Sequence, residues 1–196
     1  MRKLVFIAVA TFIAWKYFGP KQTVILGPGV MVADPPRQEK LLNTTQIVLD
    51  NYLITLLAGF DIKAKVLSKA GYSLGRESDL SSVDLALGWQ KMSDESVLDN
   101  IEISQSGRWY RWSTNNFPIP RREIETQSAN MHLIPANDLV EDMIDQVKQG
   151  QIIRITGSLV RVDAKDGWHW QSSLTREDIG AHACELVYVT SFEVLN

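Results

Sequence analysis

The first pattern along the chain is a largely apolar run directly behind a basic start. Arg2 and Lys3 precede residues 4–18, in which Lys16 is the only charged residue, and Gly19-Pro20 ends the run. Basic residues followed by an apolar stretch are typical of a signal peptide or a signal anchor. The sequence therefore predicts an N-terminal membrane anchor over residues 1–20, with residues 4–18 in the membrane.

The length and flanks of this run leave two alternatives open. About 15 residues of helix reach roughly 22 Å, which is short of the ~30 Å hydrocarbon core and requires a thin or locally compressed bilayer. A cleaved signal peptide is one alternative, although no small-x-small cleavage site follows Phe18. A buried N-terminal helix of a soluble protein is the other. The basic start favours a cytoplasmic N-terminus, so we expect a single-pass protein with an exported C-terminal domain, periplasmic in a bacterium.

Residues 21–37 carry the residues that break helices and central strands. Gly27-Pro28-Gly29 and Pro35-Pro36 divide this stretch into short pieces. It is predicted to be a linker or an arm that follows the surface. Residues 38–196 would then form one globular domain, because roughly 150 residues suit one core better than two.

The globular part alternates between strand and turn patterns. Residues 60–67 alternate apolar and polar positions, which predicts a half-buried strand. Residues 71–99 are acidic and rich in turn residues, so we expect a long excursion with a short helix near residues 94–100. Four further apolar segments predict strands at residues 101–112, 128–134, 152–162 and 186–194. The first two of these could pair with each other.

One segment has the periodicity of a helix. Asn137-Asp138 supplies a cap, and apolar residues recur at helical spacing from Leu139 to Val147. Lys148 and Gly150 then end the helix.

The resulting order of strand, strand, strand, helix, strand, strand resembles that of an OB-fold, in which a helix stands between the third and fourth strands. The resemblance covers about residues 60–195 and lies in the architecture, without a sequence fingerprint. It implies a mainly β domain with one internal α-helix, built as an OB-fold-like five-stranded barrel. A mixed α+β sheet is the alternative.

Composition and charge narrow the classes of partner. The 196 residues are 45% hydrophobic and 22% charged, as in an ordinary folded protein. A net charge of -3 gives no general attraction to phosphate and argues against nucleic acid. Cys184 is the single cysteine, so an intramolecular disulfide is excluded.

Two aromatic clusters are candidate binding residues. A strand over residues 108–112 places Arg108, Tyr110 and Trp112 on one face, and the nearby Arg121 and Arg122 make this region basic. Trp168 and Trp170 share one face of another predicted strand. Aromatic side chains and arginines together are typical of protein and polymer interfaces. The alternative is that the aromatics fill the core and the arginines pair with the acidic excursion.

Catalytic chemistry has less support in the sequence. The three histidines lack metal-ligand spacing, and no phosphate loop or nucleophile elbow occurs. We therefore predict no metal and no cofactor. A hydrolase or nuclease-like enzyme that uses Asp178, His182 or Cys184 is the alternative to the function we expect, which is that of a membrane-anchored binding or assembly module with a protein partner.

Overall fold

The computed structural model describes residues 23–175 and 184–196. Strands make up 47% and helices 16%, so the fold is mainly β, as predicted. Within the described ranges no helix is both long and apolar enough to cross a bilayer. The predicted anchor at residues 1–20 lies outside those ranges.

The described residues contain ten strands, which form one eight-stranded sheet and a separate two-stranded hairpin. The strands are β1 (Arg37–Lys40), β2 (Gln46–Leu49), β3 (Tyr52–Gly71), β4 (Val83–Gly88), β5 (Glu102–Ser106), β6 (Trp109–Ser113), β7 (Ser128–Pro135), β8 (Ile152–Ala164), β9 (His169–Gln171) and β10 (Glu185–Val194). The hairpin consists of β5 and β6.

Five of these strands form a partly closed ring, and the length of β3 makes this possible. The first part of β3 pairs with β8, and its last part pairs with β4. The remaining pairs are β4 with β7, β7 with β10 and β10 with β8. All pairs in the ring are antiparallel except that of β7 with β10. The strand predicted over residues 60–67 is confirmed as part of β3.

The prediction of a turn-rich excursion over residues 71–99 is wrong in its middle, where β4 lies. All six residues of β4 are buried, so the strand has no polar face to produce an alternating pattern. Its one charged residue, Asp84, is fully buried and lies against the guanidinium of Arg108. A buried ion pair therefore made a central strand look like part of an acidic loop.

The prediction of one strand over residues 101–112 is also wrong. Gly107 and Arg108 both have positive φ, 56° and 68°, and form a two-residue turn between β5 and β6. The two strands pair with each other, whereas β7 pairs with β4 and β10. The expected pairing of this segment with residues 128–134 therefore does not occur.

Three α-helices lie in the described residues, where the predicted fold has a single internal helix. They are α1 (Glu95–Leu98), α2 (Arg121–Thr126) and α3 (Asp138–Gln146). The last is the predicted helix, and the Asn137 side chain caps it by accepting a hydrogen bond from the Val140 N–H at 3.1 Å. The short helix expected near residues 94–100 is α1. Nothing in the sequence pattern separated α2 from the preceding proline corner.

The main core lies among the ring strands and α3, and residues 23–32 pack against the domain with their last residue in this core. Val32 is buried in this core. The Ser93 hydroxyl accepts hydrogen bonds from the Met31 and Val32 N–H groups, both at 3.0 Å. At the start of the segment, the Val24 N–H donates to the Gln149 carbonyl at 2.8 Å. We call residues 23–32 the arm.

Candidate functional site

An open groove of about 780 Å³ lies beside β6. One wall is the whole of β6, and the opposite side is formed by α2, the first residues of β7 and the start of β10. Aromatic side chains from three segments of the chain converge on it, and arginines lie among them. The aromatic residues are Trp89, Trp109, Tyr110, Trp112 and Phe117, and the arginines are Arg111 and Arg121.

The hairpin turn determines which side chains of β6 face the domain. The two-residue turn sets the register, in which Tyr110 lies opposite Gln105 and Trp112 opposite Ile103. Tyr110 and Trp112 point inward and pack against the core cluster around Met92 and Ile124. The alternate residues, Trp109, Arg111 and Ser113, are exposed.

Tyr110 is fixed at the floor of the groove. Its hydroxyl donates to Ser128 Oγ at 3.1 Å, and Ser128 Oγ donates in turn to the Ile124 carbonyl. Burial raises the pKa of Tyr110 to about 12, and the hydrogen bond to Ser128 opposes this effect in part. The phenol is therefore neutral at physiological pH and acts as a structural bridge between β6 and β7.

The aromatic walls of the groove remain partly open to solvent. Trp109 is 43% exposed and Phe117 is 50% exposed. Phe117 packs edge-to-face on Trp112, with ring centroids 6.2 Å apart. Because these side chains meet around a concave surface, they offer a partner more apolar area than scattered surface aromatics do.

The arginines of the groove keep unused hydrogen-bond donors. The guanidinium of Arg121 lies 5.7 Å from the centroid of the Trp112 ring, and its Nε donates to Glu125 at 2.8 Å. Arg111 Nη1 donates to Ser106 Oγ at 2.9 Å. Among the described residues, the terminal nitrogens of Arg121 and Nη2 of Arg111 have no hydrogen-bond partner, so both side chains can bind an acceptor from outside.

Arg108 differs from these two arginines, because its side-chain donors bind acceptors within the domain. Its Nη1 lies 2.6 Å from Asp84 Oδ1 and its Nη2 donates to the Ser81 carbonyl at 2.8 Å. The guanidinium lies 4.1 Å from the centroid of the Tyr72 ring. The Arg108 N–H also donates to the Tyr72 hydroxyl at 3.1 Å. Arg108 thus holds the tip of the hairpin on β4.

Trp168 and Trp170 pack at the side of Arg108, away from the groove lining. Their rings meet edge-to-face at 6.4 Å, and the Trp170 ring lies 4.8 Å from that of His132. His132 Nδ1 lies 2.9 Å from the same Asp84 oxygen that Arg108 contacts. Both tryptophans are half-buried against the smaller core cluster around Tyr52. Trp170 therefore packs on the two residues that contact Asp84, whereas Trp168 packs on Tyr52 and Arg76.

The seven predicted binding residues are thus divided by the structure. Tyr110, Trp112 and Arg121 line the groove, whereas Arg108 contacts Asp84 and the two tryptophans belong to the core cluster around Tyr52. Arg122 is exposed on α2 beside the groove. Binding by these residues stays a prediction.

Sequence reasoning missed three aromatic residues that line the groove, namely Trp89, Trp109 and Phe117, and it also missed Arg111. The alternation along β6 does mark Trp109 as the outward aromatic, and that signal was present. Trp89 lies twenty residues before Trp109 in the chain and reaches the groove only through the fold.

The structure describes only some of the residues that the alternative, catalytic function would use. Asp178 and His182 lie outside the described ranges, and the half-buried Cys184 lines the groove together with the buried Glu185. Within residues 23–175 and 184–196, no group of three or more potential metal ligands is found.

Comparison with protein-family models, with curated proteins and with solved structures gives no match for this chain. Its geometry therefore carries the functional argument.

Proposed function

We propose that the protein is a membrane-tethered, non-catalytic binding module that holds a polypeptide segment of a partner protein in the aromatic groove. The convergence of five aromatic side chains on one open groove carries this proposal. Exposed Trp109 and Phe117 supply apolar contact area, and Arg111 and Arg121 supply donors at its rim. Tryptophan, tyrosine and arginine are the residues most enriched at the energetic centres of protein interfaces.

For the domain we propose an OB-fold-like barrel. In chain order the five ring strands are β3, β4, β7, β8 and β10, and the order around the ring is first, second, third, fifth, fourth. A helix, α3, stands between the third and fourth strands. Both features support the OB-fold comparison, with the β5–β6 hairpin as an insertion between the second and third strands.

The position of the hairpin favours a protein partner over an oligonucleotide. OB-folds bind oligonucleotides on the face of their second and third strands. Here the hairpin lies on that face, since Arg108 contacts Asp84 of β4 and the Arg108 carbonyl accepts from Asn130 of β7 at 3.1 Å. The net charge of -3 points in the same direction.

The membrane part of the proposal rests on residues 1–20, for which we propose a single-pass anchor with the domain on the extracytoplasmic side. A tether in the same envelope as the partner raises the local concentration of both proteins. A low affinity of the groove for its ligand is then sufficient for binding.

Photocrosslinking of the full-length protein in its own membranes tests the proposal. A photoreactive amino acid replaces Trp109 in the groove, and a matched control replaces Val48, which is 76% exposed on β2. We expect position 109 to become joined to one recurring polypeptide segment, identified by mass spectrometry, and Phe117→Ala in the same chain to abolish that product.

Three results would overturn the proposal. Position 109 could yield no product, or only the products seen at position 48. The product could be a second copy of this chain, which would make the groove a self-association site. Strong, salt-dependent binding of single-stranded DNA that is lost on Trp109→Ala would assign the groove to nucleic acid.

A further inference from the structure

The outer edge of β6 runs along the aromatic groove, and no strand of the described residues pairs with it. In an antiparallel hairpin with a two-residue turn, the residues that flank the turn exchange hydrogen bonds, and every second pair does so thereafter. Trp109, Arg111 and Ser113 therefore direct their main-chain groups to β5. The N–H and C=O groups of Tyr110 and Trp112 point the other way, into the groove.

Nothing in the described part of the chain occupies those groups. β6 pairs with β5 alone, and no hydrogen bond from another described residue reaches the main chain of Tyr110 or Trp112. A row of free N–H and C=O groups is a template for an added strand. Residues 109–114 all line the groove, so this edge offers six residues, or roughly 20 Å, to an extended chain.

The charge at this edge restricts the sequence of such a strand. Arg111 projects on the exposed side of β6 between Trp109 and Ser113, and no carboxylate of the described residues lies within ion-pair distance of it. Residues directly opposite each other on neighbouring strands have adjacent side chains, and an opposite charge there is favourable. The residue of an added strand that lies opposite Arg111 is thus best acidic.

Arg121 lies on the other side of the groove, against the inward-facing Trp112. It is 69% exposed and holds Glu125 through Nε alone, so its two terminal nitrogens face outward as a fork that matches a carboxylate. The groove lining therefore carries two guanidinium groups, of which Arg121 is paired with Glu125 and Arg111 has no carboxylate partner among the described residues.

We infer that the occupant is an extended acidic segment of a partner protein, which adds a strand to the outer edge of β6 and places a carboxylate against Arg111. This inference rests on the proposed function and specifies its ligand. The apolar residues on either side of the carboxylate, two positions away along the strand, lie over Trp109 and beside Ser113.

Immobilised peptide libraries separate the inference from the proposed function. The probes are random decapeptides that differ only in a fixed central residue, which is glutamate, glutamine or lysine, and the full chain in detergent micelles is passed over each. We expect retention on the glutamate library to exceed that on the glutamine library about tenfold. Arg111→Gln should bring this ratio close to one, whereas Arg37→Gln, on the exposed strand β1, should leave it unchanged.

Each combination of results has a distinct meaning. Equal retention on all three libraries that still depends on Trp109 overturns the acidic preference and leaves the groove as a peptide site. Absence of retention above the level of a Trp109→Ala, Phe117→Ala variant overturns the proposed function as well.

Amide hydrogen exchange tests the added strand itself, with a tightly retained glutamate peptide bound. We expect exchange at the Tyr110 and Trp112 amides to slow at least tenfold on binding. The Trp109 and Arg111 amides, which already pair with β5, should change little and serve as the internal control. Unchanged exchange at Tyr110 and Trp112 in the complex would overturn strand addition.

Discussion

Arg108 combines an unfavourable backbone conformation with a dense set of side-chain contacts. Its φ of 68° lies in the left-handed region, which costs a non-glycine residue roughly 1–2 kcal/mol. The ion pair with buried Asp84 and the contact with Tyr72 offset that cost. We therefore assign Arg108 a structural role in holding the hairpin.

Replacing Arg108 should consequently destabilise the fold. Arg108→Ala leaves the carboxylate of Asp84 buried without its guanidinium partner, and loss of one member of a buried pair costs about 3 kcal/mol. Urea denaturation followed by tryptophan fluorescence measures this loss. Arg111→Ala, which removes an exposed arginine three residues away, should change the unfolding free energy by less than about 0.5 kcal/mol. Equal effects of the two variants would contradict the assignment.

The phenol of Tyr110 makes stability depend on pH in the alkaline range. Its pKa is about 12 in the folded chain because burial disfavours the phenolate, whereas an unfolded chain has the ordinary value of about 10. Between these values the unfolded state loses the proton first, so stability is complete below pH ~10 and falls as pH rises toward 12. The full effect is on the order of 2–3 kcal/mol.

Comparison of the native chain with Tyr110→Phe checks this expectation. The variant should lose the part of the alkaline decrease in unfolding free energy that Tyr110 causes, and absorbance titration should lose one tyrosine that ionises near pH 12. An identical alkaline profile for the two proteins would show that Tyr110 is not the group responsible.

At the level of single residues, the sequence indicated part of the groove. Period-two alternation placed Tyr110 and Trp112 on one face of a strand. The number of aromatic residues and arginines in this segment predicted an interface. The same pattern could not tell that Arg108 belongs to the turn, because a left-handed arginine depends on the tertiary contact with Asp84. The position of Trp89 in the groove could not be predicted either, because it follows from the packing of segments that are distant in the sequence.

The β5–β6 hairpin depends on glycine at one position of its turn. Gly107 has a φ of 56°, and a Cβ added there would meet nothing within 4 Å, so only backbone strain opposes a side chain. Gly107→Ala should therefore cost about 1 kcal/mol of unfolding free energy, measured by urea denaturation. Gly71→Ala is the matched control, because that site is also open and lacks a positive φ. A loss in the control as large as that in Gly107→Ala would contradict this explanation.

A second glycine permits the close approach of two ring strands. A Cβ on Gly157 of β8 would lie 2.0 Å from the Tyr188 carbonyl oxygen of β10, which is a rigid main-chain group. Gly157→Ala must push these strands apart and should cost about 3 kcal/mol or more. Thermal unfolding should show the loss, and a melting temperature equal to that of Gly71→Ala would show that the ring tolerates the shift.

At the level of elements, the pattern of the sequence identified strands with one polar face and the capped helix α3. It failed at β4, because a strand buried on both faces has no alternation, and at the hairpin, because Gly107-Arg108 is an unusual turn pair. The prediction lacked β4 but counted the β5–β6 hairpin as one strand, so the predicted number of strands was still five. The predicted order of elements therefore resembled that of an OB-fold, although the segment assigned to its second strand was the inserted hairpin.

For the whole molecule, the main prediction concerns topology. An uncleaved anchor at residues 4–18 with a cytoplasmic N-terminus places the C-terminus on the other side of the membrane. A C-terminal alkaline phosphatase fusion should be active, and a C-terminal fluorescent protein that folds only in the cytoplasm should be dark. The reverse pair of results would contradict export, and a mature N-terminus beyond Phe18 would contradict the anchor.

The arm has a mechanical consequence for a chain anchored in this way. Five residues lie between Phe18 and Val24, where the arm is fixed to Gln149, so the chain between them spans no more than roughly 20 Å. Further along, the Val32 carbonyl accepts from Gln90, the residue next to Trp89 of the groove, at 2.7 Å. The arm is thus fixed to the domain at both of its ends, so in a chain anchored in this way the domain would stay within roughly 20 Å of the bilayer surface at Val24.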